Sequence, residues 1–314
     1  MPIVRQRPCP KKRDSLDGII QERVAQITEA RLTEHLRRIV GVRHHQSAPE
    51  ALEAAGEYIT DQFRAAGLAV HHHAFEAFGH RNRNVVGSIR GRAGNFTGRP
   101  LLILAAHYDT VAQSPGADDN ASGVAVMLEA ARRLAELDRP GRWVFIGFAQ
   151  EEQHCLGSTL YAIKARRSCL HIQGMIALEC VGFASQKPGS QQRLRQLPIA
   201  IPDVGNFLGV VGNPEAAALK QRFEKVAGRF VSDLPLVSLV VPNAGHDFPD
   251  TRRSDHAPFW DAGYPALMLT DTANFRNPWY HQPGDRLETL DLPYMAKVTK
   301  AIVAFLAEAA LKEE

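Results

Sequence analysis

Short unbroken apolar runs alternate along the chain with longer segments in which apolar residues return every third or fourth position. Leu101 to Ala106, Arg142 to Ala149, Ile172 to Leu178, Phe207 to Val211, Leu236 to Val241 and Pro265 to Leu269 are runs of the first kind. At this length, bounded by turn residues, they read as strands buried on both faces. The second kind covers Gly18 to Val40 (Ile20, Val24, Ile27, Leu32, Leu36, Ile39), Ala121 to Leu134 (Val124, Leu128 and Ala131 on one face), Leu156 to Arg167, Pro214 to Gly228 and Leu292 to Leu311. These read as helices. Ser47-Ala48-Pro49-Glu50 has the form of a capping box opening a further helix through Leu52, Ala55, Ile59 and Phe63, closed at Gly67. Leu68 to Phe78 and Asn84 to Ile89 are expected strands. Strands alternating with helices predict an α/β fold, a three-layer α/β/α sandwich around a central mixed, mostly parallel β-sheet.

No linker is long enough to separate two domains, so residues 18–314 read as one domain after a flexible basic arm, residues 1–17. Residues 183–206, rich in Gly, Ser, Gln and Pro, read as an insertion or lid, and residues 242–254 as a second long loop. A net charge of +3 is too small to argue for nucleic acid, and no stretch has the length of a membrane helix. No apolar segment follows the basic N-terminus, so a cytoplasmic location is expected. Cys9, Cys155, Cys169 and Cys180 form no CxxC pair and read as reduced thiols. His71, His72 and His73 sit on an expected strand, where neighbours face opposite ways, so they read as a solvated edge and not as one metal site.

The chemistry gathers where the apolar runs end. His107 and Asp109 follow the first, Asp118 and Asp119 lie in the polar loop after it, Glu151 and Glu152 follow the second, Glu179 the third, and His281 comes from a late loop. In open α/β sheets ligands bind at the carboxyl ends of strands. Carboxylates so crowded would raise one another's pKa unless cations sat among them. Imidazole with carboxylate suits zinc. Glu151 and Glu152 are adjacent and point apart, so one can ligate while the other faces water.

The motifs His107-Tyr108-Asp109, Gly116 to Gly123 (GADDNASG), Glu151-Glu152, Gly157-Ser158, Ser254 to Phe259 (SDHAPF) and Tyr280-His281 resemble the M28 family of zinc aminopeptidases, which is more distantly similar to glutaminyl cyclases. The resemblance covers roughly residue 47 to the end. It implies two zinc ions bridged by Asp119, with His107 and Glu179 completing one ligand set and Glu152 and His281 the other. It implies Glu151 as general base, Asp109 orienting His107, a cis peptide after Asp119, and peptide substrates. The family commonly has Asp where Glu179-Cys180 stands here; glutamate also ligates zinc, with one more methylene of reach. Asp118 is expected behind the ligands, and Asp255 and His256 behind them or in a substrate-positioning wall. A single-zinc glutaminyl cyclase-like aminoacyltransferase and a non-catalytic binding module are the alternatives; the intact acidic set argues against the latter. Asn95-Phe96-Thr97 and Asn120-Ala121-Ser122 match the glycosylation pattern by chance on this reading.

Overall fold

The structure is a computed structural model that describes residues 15–89, 101–137, 142–193, 197 and 199–312. Most of the expected basic arm, Cys9 and the Asn95 sequon lie outside them. Among the described residues, eight strands form one sheet: β1 (Ala69–Ala77), β2 (His80–Ser88), β3 (Leu101–His107), β4 (Trp143–Phe148), β5 (Ile172–Glu179), β6 (Leu208–Gly212), β7 (Leu236–Val240) and β8 (Ala266–Thr270). Their order is β1-β2-β4-β3-β5-β8-β6-β7. The centre, β4, β3, β5 and β8, is parallel. At one side β2 pairs antiparallel with β4 and with β1; at the other β6 is antiparallel to β8 and parallel to β7.

The helices are α1 (Leu16–Ala25), α2 (Glu29–Ile39), α3 (Pro49–Ala65), α4 (Gly123–Ala135), α5 (Leu156–Arg167), α6 (Ala217–Phe230), α7 (Ala257–Asp261) and α8 (Leu292–Lys312). The pleat sorts the apolar runs between two cores. Leu102, Leu104 and Ala106 of β3 pack with Ile176 and Leu178 of β5 beneath α2, α3, α4, α6 and α8. Leu101, Ile103 and Ala105 turn the other way, with Met175 and Ala177, toward α5 and α7. The unbroken hydrophobicity of the central strands follows from this double burial, each large side chain contributing roughly 1.5–3 kcal/mol. No helix among the described residues is long and apolar enough to cross a membrane.

Four local expectations are corrected. The segment from Gly18 to Val40 is two helices, because Thr28 adopts extended backbone and its Oγ1 accepts the Arg31 N–H at 3.4 Å, starting α2 afresh. The capping box does not form: the residue before α3 is Ala48, and Ser47 Oγ lies 3.3 Å from His44 Nδ1 instead. Pro49 opens α3 with its φ preset and no N–H to satisfy, which removes part of the need for a cap. The helix expected from Ala121 begins at Gly123, after a kinked turn over Ala117–Ser122. The one expected from Pro214 starts with a 3-10 turn, Pro214–Ala216. The three consecutive histidines lie on β1, at the sheet's edge; His72 Nε2 meets Thr60 Oγ1 and His73 Nδ1 meets Asn84 Nδ2, so they share no ligand site. Cys155, Cys169 and Cys180 are free thiols.

One buried histidine sets an acid limit on this fold. His35 of α2 lies against Tyr58, Nδ1 to hydroxyl 2.8 Å, and burial, with Arg31 nearby, lowers its pKa from 6.5 to about 4. The folded state thus binds fewer protons than the unfolded chain between those values. The stability this histidine contributes is present above pH 6.5 and drains away as pH falls toward 4. We expect urea unfolding to show a loss of roughly 3 kcal/mol over that window from this group. The pH dependence should flatten in His35→Gln.

Candidate metal centre

The parallel centre of the sheet brings three strand ends to one edge. β3 delivers His107 and, two residues on, Asp109; the turn after β4 delivers Glu151 and Glu152; β5 ends in Glu179. The loop after β3 carries Asp119, and its shape is set by several anchors. Gly116 has φ +61, and a Cβ there would meet Asp119 O at 2.3 Å, so only glycine fits. The Asp119–Asn120 peptide is cis, as the family resemblance implies. Asn120 Nδ2 donates to Leu178 O (2.7 Å) and its Oδ1 accepts from Cys180 N (3.2 Å), welding the loop to the end of β5.

The result is two clusters that share one carboxylate. Asp119 Oδ1 is 3.2 Å from His107 Nε2, and Glu179 Oε2 is 3.4 Å from the same nitrogen. Asp119 Oδ2 is 3.0 Å from His281 Nε2, and Glu152 Oε2 is 3.1 Å from it. Glu151 Oε2 stands 3.9 Å from His107 Nε2 without joining either closer pair. His107, Asp119, Glu152 and Glu179 are buried, while His281 is about a third exposed (32%), so the centre opens on that side.

The electrostatics follow from burial of many like charges. Burial lifts the Glu151 carboxyl well above its usual range, with Glu179, Glu152 and Asp255 adding to the effect. Glu152 rises to about 7, chiefly through burial and the charge of Asp119. Burial also pushes Asp119 upward, but the imidazoles of His107 and His281 beside it outweigh this and hold it below the carboxylate range. His281 is raised to about 10: burial opposes its charge, and Asp119 and Glu152 overcome that opposition.

The ligand atoms are orphans within the protein. His107 Nε2, Asp119 Oδ2, Glu152 Oε1 and His281 Nε2 are buried without a hydrogen-bond partner. Donor atoms of Asp119, Glu152 and His281 lie within 4.8 Å of one another, as do those of His107, Glu151 and Glu179. Buried polar atoms in proteins are usually paired, so unpartnered imidazole and carboxylate atoms converging on one place fit a cation.

Of the residues expected behind the ligands, Asp109 does more than expected. Its Oδ1 lies 3.5 Å from His107 Nδ1, and its two oxygens accept the backbone N–H groups of Glu151 (3.0 Å) and Glu152 (3.1 Å), fixing both glutamates. Asp118 faces away from the centre; its carboxylate accepts from Gly182 N (2.9 Å) and Asn277 Nδ2 (2.8 Å). Asp255 is buried with neither oxygen hydrogen-bonded, and burial pushes it to about 7. His256 does not take the place behind the ligands: its Nε2 meets Thr251 O at 2.7 Å and its ring stands edge-on to Trp260. It packs the loop instead.

Several contributors escaped the sequence reading. Asp285 accepts the N–H groups of Asp118 (2.9 Å) and Asp119 (3.1 Å); in the context Gln282-Pro283-Gly284-Asp285 it reads as a turn residue. Arg43, fully buried, donates to the carbonyls of Ile39, Gly41, Tyr108, Pro115 and Gly116 and so braces the loop that presents Asp119. Ser254 Oγ donates to Glu179 Oε2 at 2.7 Å, and Cys180 Sγ lies 3.3 Å from Oε1. Hydrogen-bond partners of a ligand side chain typically matter about 10- to 100-fold in metal affinity. Ser254→Ala should therefore weaken zinc binding by about tenfold in a competition titration with a chelator, with unfolding little changed.

Beside the centre lies an apolar cavity, open to solvent on one side. Glu179 and Tyr280 form its inner wall, and Leu197, Ile199, Phe207 and Met268 contribute apolar lining. Both long loops foreseen from the sequence border it, through Ile199 and Ile201 and through Asp250 and Thr251.

The sequence profile of peptidase family M28 matches residues 84–306, the span that carries the five side chains of the two clusters and Glu151. The chain belongs to peptidase family M28. Among relatives of this M28 chain, a protein of Escherichia coli (strain K12) named YfbL is 33% identical over 294 residues, 88% of this chain and 86% of that one. Among solved structures, the LapA aminopeptidase of Legionella pneumophila shares the fold with a TM-score of 0.74 at 17% identity, over 99% of this chain and 79% of that one. A zinc aminopeptidase of Bacillus subtilis, BSAP, is 25% identical with a TM-score of 0.56, over 76% of this chain and 52% of that one. The M28 chain spans about half the length, 46 to 57%, of curated relatives named as aminopeptidases.

Proposed function

We propose that this M28 peptidase removes residues from the amino end of peptides, with zinc held by His107, Asp119, Glu152, Glu179 and His281. The observation that carries the reading is the division of Asp119, each oxygen facing one histidine–glutamate pair. That division supports two ions per chain with Asp119 between them. The imidazole and carboxylate donors, and a zinc aminopeptidase among the relatives, support zinc as the metal. On this reading residues 18–314 act as one catalytic unit, and the stretches 183–206 and 242–254 shape its substrate pocket.

Zinc bound there supplies Lewis acidity, polarising the scissile carbonyl and acidifying water to a pKa near ~7. Glu151 accepts the proton of that water and returns one to the departing amine. Burial raises its carboxyl above the usual carboxylate range, the direction in which a general-base glutamate is tuned. Asp109 holds the backbone N–H groups of both glutamates, so that Glu152 would serve as a metal ligand while Glu151 would be left to handle the proton. The substrate's free ammonium is drawn to the anionic rim, and its first side chain enters the apolar cavity.

The test joins metal analysis to a matched substrate pair. Purified protein should hold about two zinc ions per chain. It should cleave Leu-Gly-Gly and leave its N-acetylated counterpart intact. Equal cleavage of the two, or absence of bound metal, overturns the reading.

A further inference from the structure

We propose that Arg253 recognises a carboxylate of the substrate lying within one residue of the bond to be cut. The proposal rests on the peptidase reading above and names the class of peptide that suits the site.

Arg253 is the one cation among the described residues lining the apolar cavity; Glu179 and Asp250 are the other charged residues there. Its guanidinium is held in place by neutral partners. Nη1 donates to Asn274 Oδ1 at 2.8 Å and Nη2 to the Tyr280 hydroxyl at 3.3 Å, while its Cζ sits 5.6 Å from the Tyr280 ring centroid. A guanidinium carries five N–H groups in a planar fork; those two bonds leave three unspent. Its nearest acid, Asp250 Oδ1, is 3.6 Å away and both side chains are close to half exposed, a pairing worth little.

Other arginines near the centre are turned to partners within the protein and are less exposed than Arg253. Arg43 serves backbone carbonyls, Arg252 makes a two-point pair with Asp261, and Arg276 bonds Gln191 while stacking on Phe207. Arg253 instead presents an oriented, under-used fork at the mouth of the cavity. That geometry matches a carboxylate, which takes two parallel N–H bonds.

Arg253 is tied to the centre through Tyr280: it meets the Tyr280 hydroxyl at 3.3 Å, and the Tyr280 ring lies on that of His281, centroids 4.0 Å apart. A ligand that reaches from the anionic centre to Arg253 therefore bears a positive group at one end and a negative one about a residue away. A dipeptide has that pattern through its C-terminal carboxylate, and a peptide beginning with Glu or Asp has it through its side chain. An apolar wall alone would not call for a cation, and an exposed arginine with one weak ion pair gains little in stability.

The experiment compares substrates that differ only in the carboxylate: Leu-Gly against Leu-Gly-amide for the terminal source, and Glu-p-nitroanilide against Gln-p-nitroanilide for the side-chain source. Leu-p-nitroanilide is the neutral reference. Zinc-loaded wild type, Arg253→Gln and Arg253→Lys are measured on all five. A charge-assisted pair of hydrogen bonds leads us to expect wild type to prefer the carboxylate member of one pair by about 10- to 100-fold in kcat/KM, mainly through KM. Arg253→Gln should lose that preference, Arg253→Lys should recover part of it, and all three should cleave the neutral reference within about threefold of one another. The proposal fails if wild type prefers neither carboxylate, or if the preference survives in Arg253→Gln. Failure to cleave the neutral reference would count against the peptidase reading instead. Carboxylate recognition is then read by calorimetric binding of Leu-Gly and Leu-Gly-amide to wild type and Arg253→Gln, with equal affinities overturning it.

Discussion

Asp119→Asn is expected to leave the protein without stably bound zinc and without measurable peptidase activity. Asp119 offers one oxygen to each cluster, so a neutral amide weakens both at once, whereas loss of Glu179 or His281 touches one. The amide also leaves one N–H₂ pointing at an imidazole nitrogen that needs a cation or a proton. Metal analysis after dialysis should fall from about two zinc ions per chain to below one. Because ligand binding stabilises the folded state by RT ln(1 + [L]/Kd), zinc at 1,000 times its Kd contributes about 4 kcal/mol. The wild-type melting temperature should therefore rise on adding zinc to chelated protein, and the variant's should not. Retention of two ions by Asp119→Asn would remove the shared-ligand arrangement from consideration.

Glu151→Gln should separate chemistry from metal binding. Glu151 Oε2 lies 3.9 Å from His107 Nε2, outside the closer pairs, and its Oε1 faces Cys155 Sγ at 3.5 Å. Glutamine preserves its volume and the backbone bond to Asp109, but cannot carry a proton. Loss of a general base costs about 10²- to 10⁴-fold, so kcat should fall by that factor while zinc content and KM stay near wild type. A variant with wild-type turnover would show that another group moves the proton.

Much of this arrangement was legible in the chain itself. The double burial of the central strands left a visible trace in runs such as Leu101 to Ala106, since both faces of the pleat needed apolar side chains. Most of the imidazole and carboxylate cluster was readable because His107, Glu151, Glu152 and Glu179 sit at or just after strand ends, where a run of hydrophobic residues stops. What stayed hidden were interactions made through backbone groups or across long sequence distances. Asp285 works by accepting two N–H groups 166 and 167 residues away, and nothing in a Pro-Gly-Asp turn announces that. Arg43 spends its charge on carbonyls, which have no sequence signature. For His256 two places were expected, behind the ligands or in a wall of the pocket; its imidazole meets Trp260 and the carbonyl of Thr251, a residue that lines the cavity. The false capping box at Ser47 shows how a proline at the first helical turn displaces a local rule that would otherwise hold.

The bracing of the Asp119 loop by Arg43 and Asp285 bears on how the centre is assembled. Both anchors act on main-chain atoms and neither depends on an ion, so the ligands are arrayed by the polypeptide before any cation arrives. Chelation and reloading should then be a matter of exchange at a standing socket, fast and repeatable, with the protein passing through no unfolded stage.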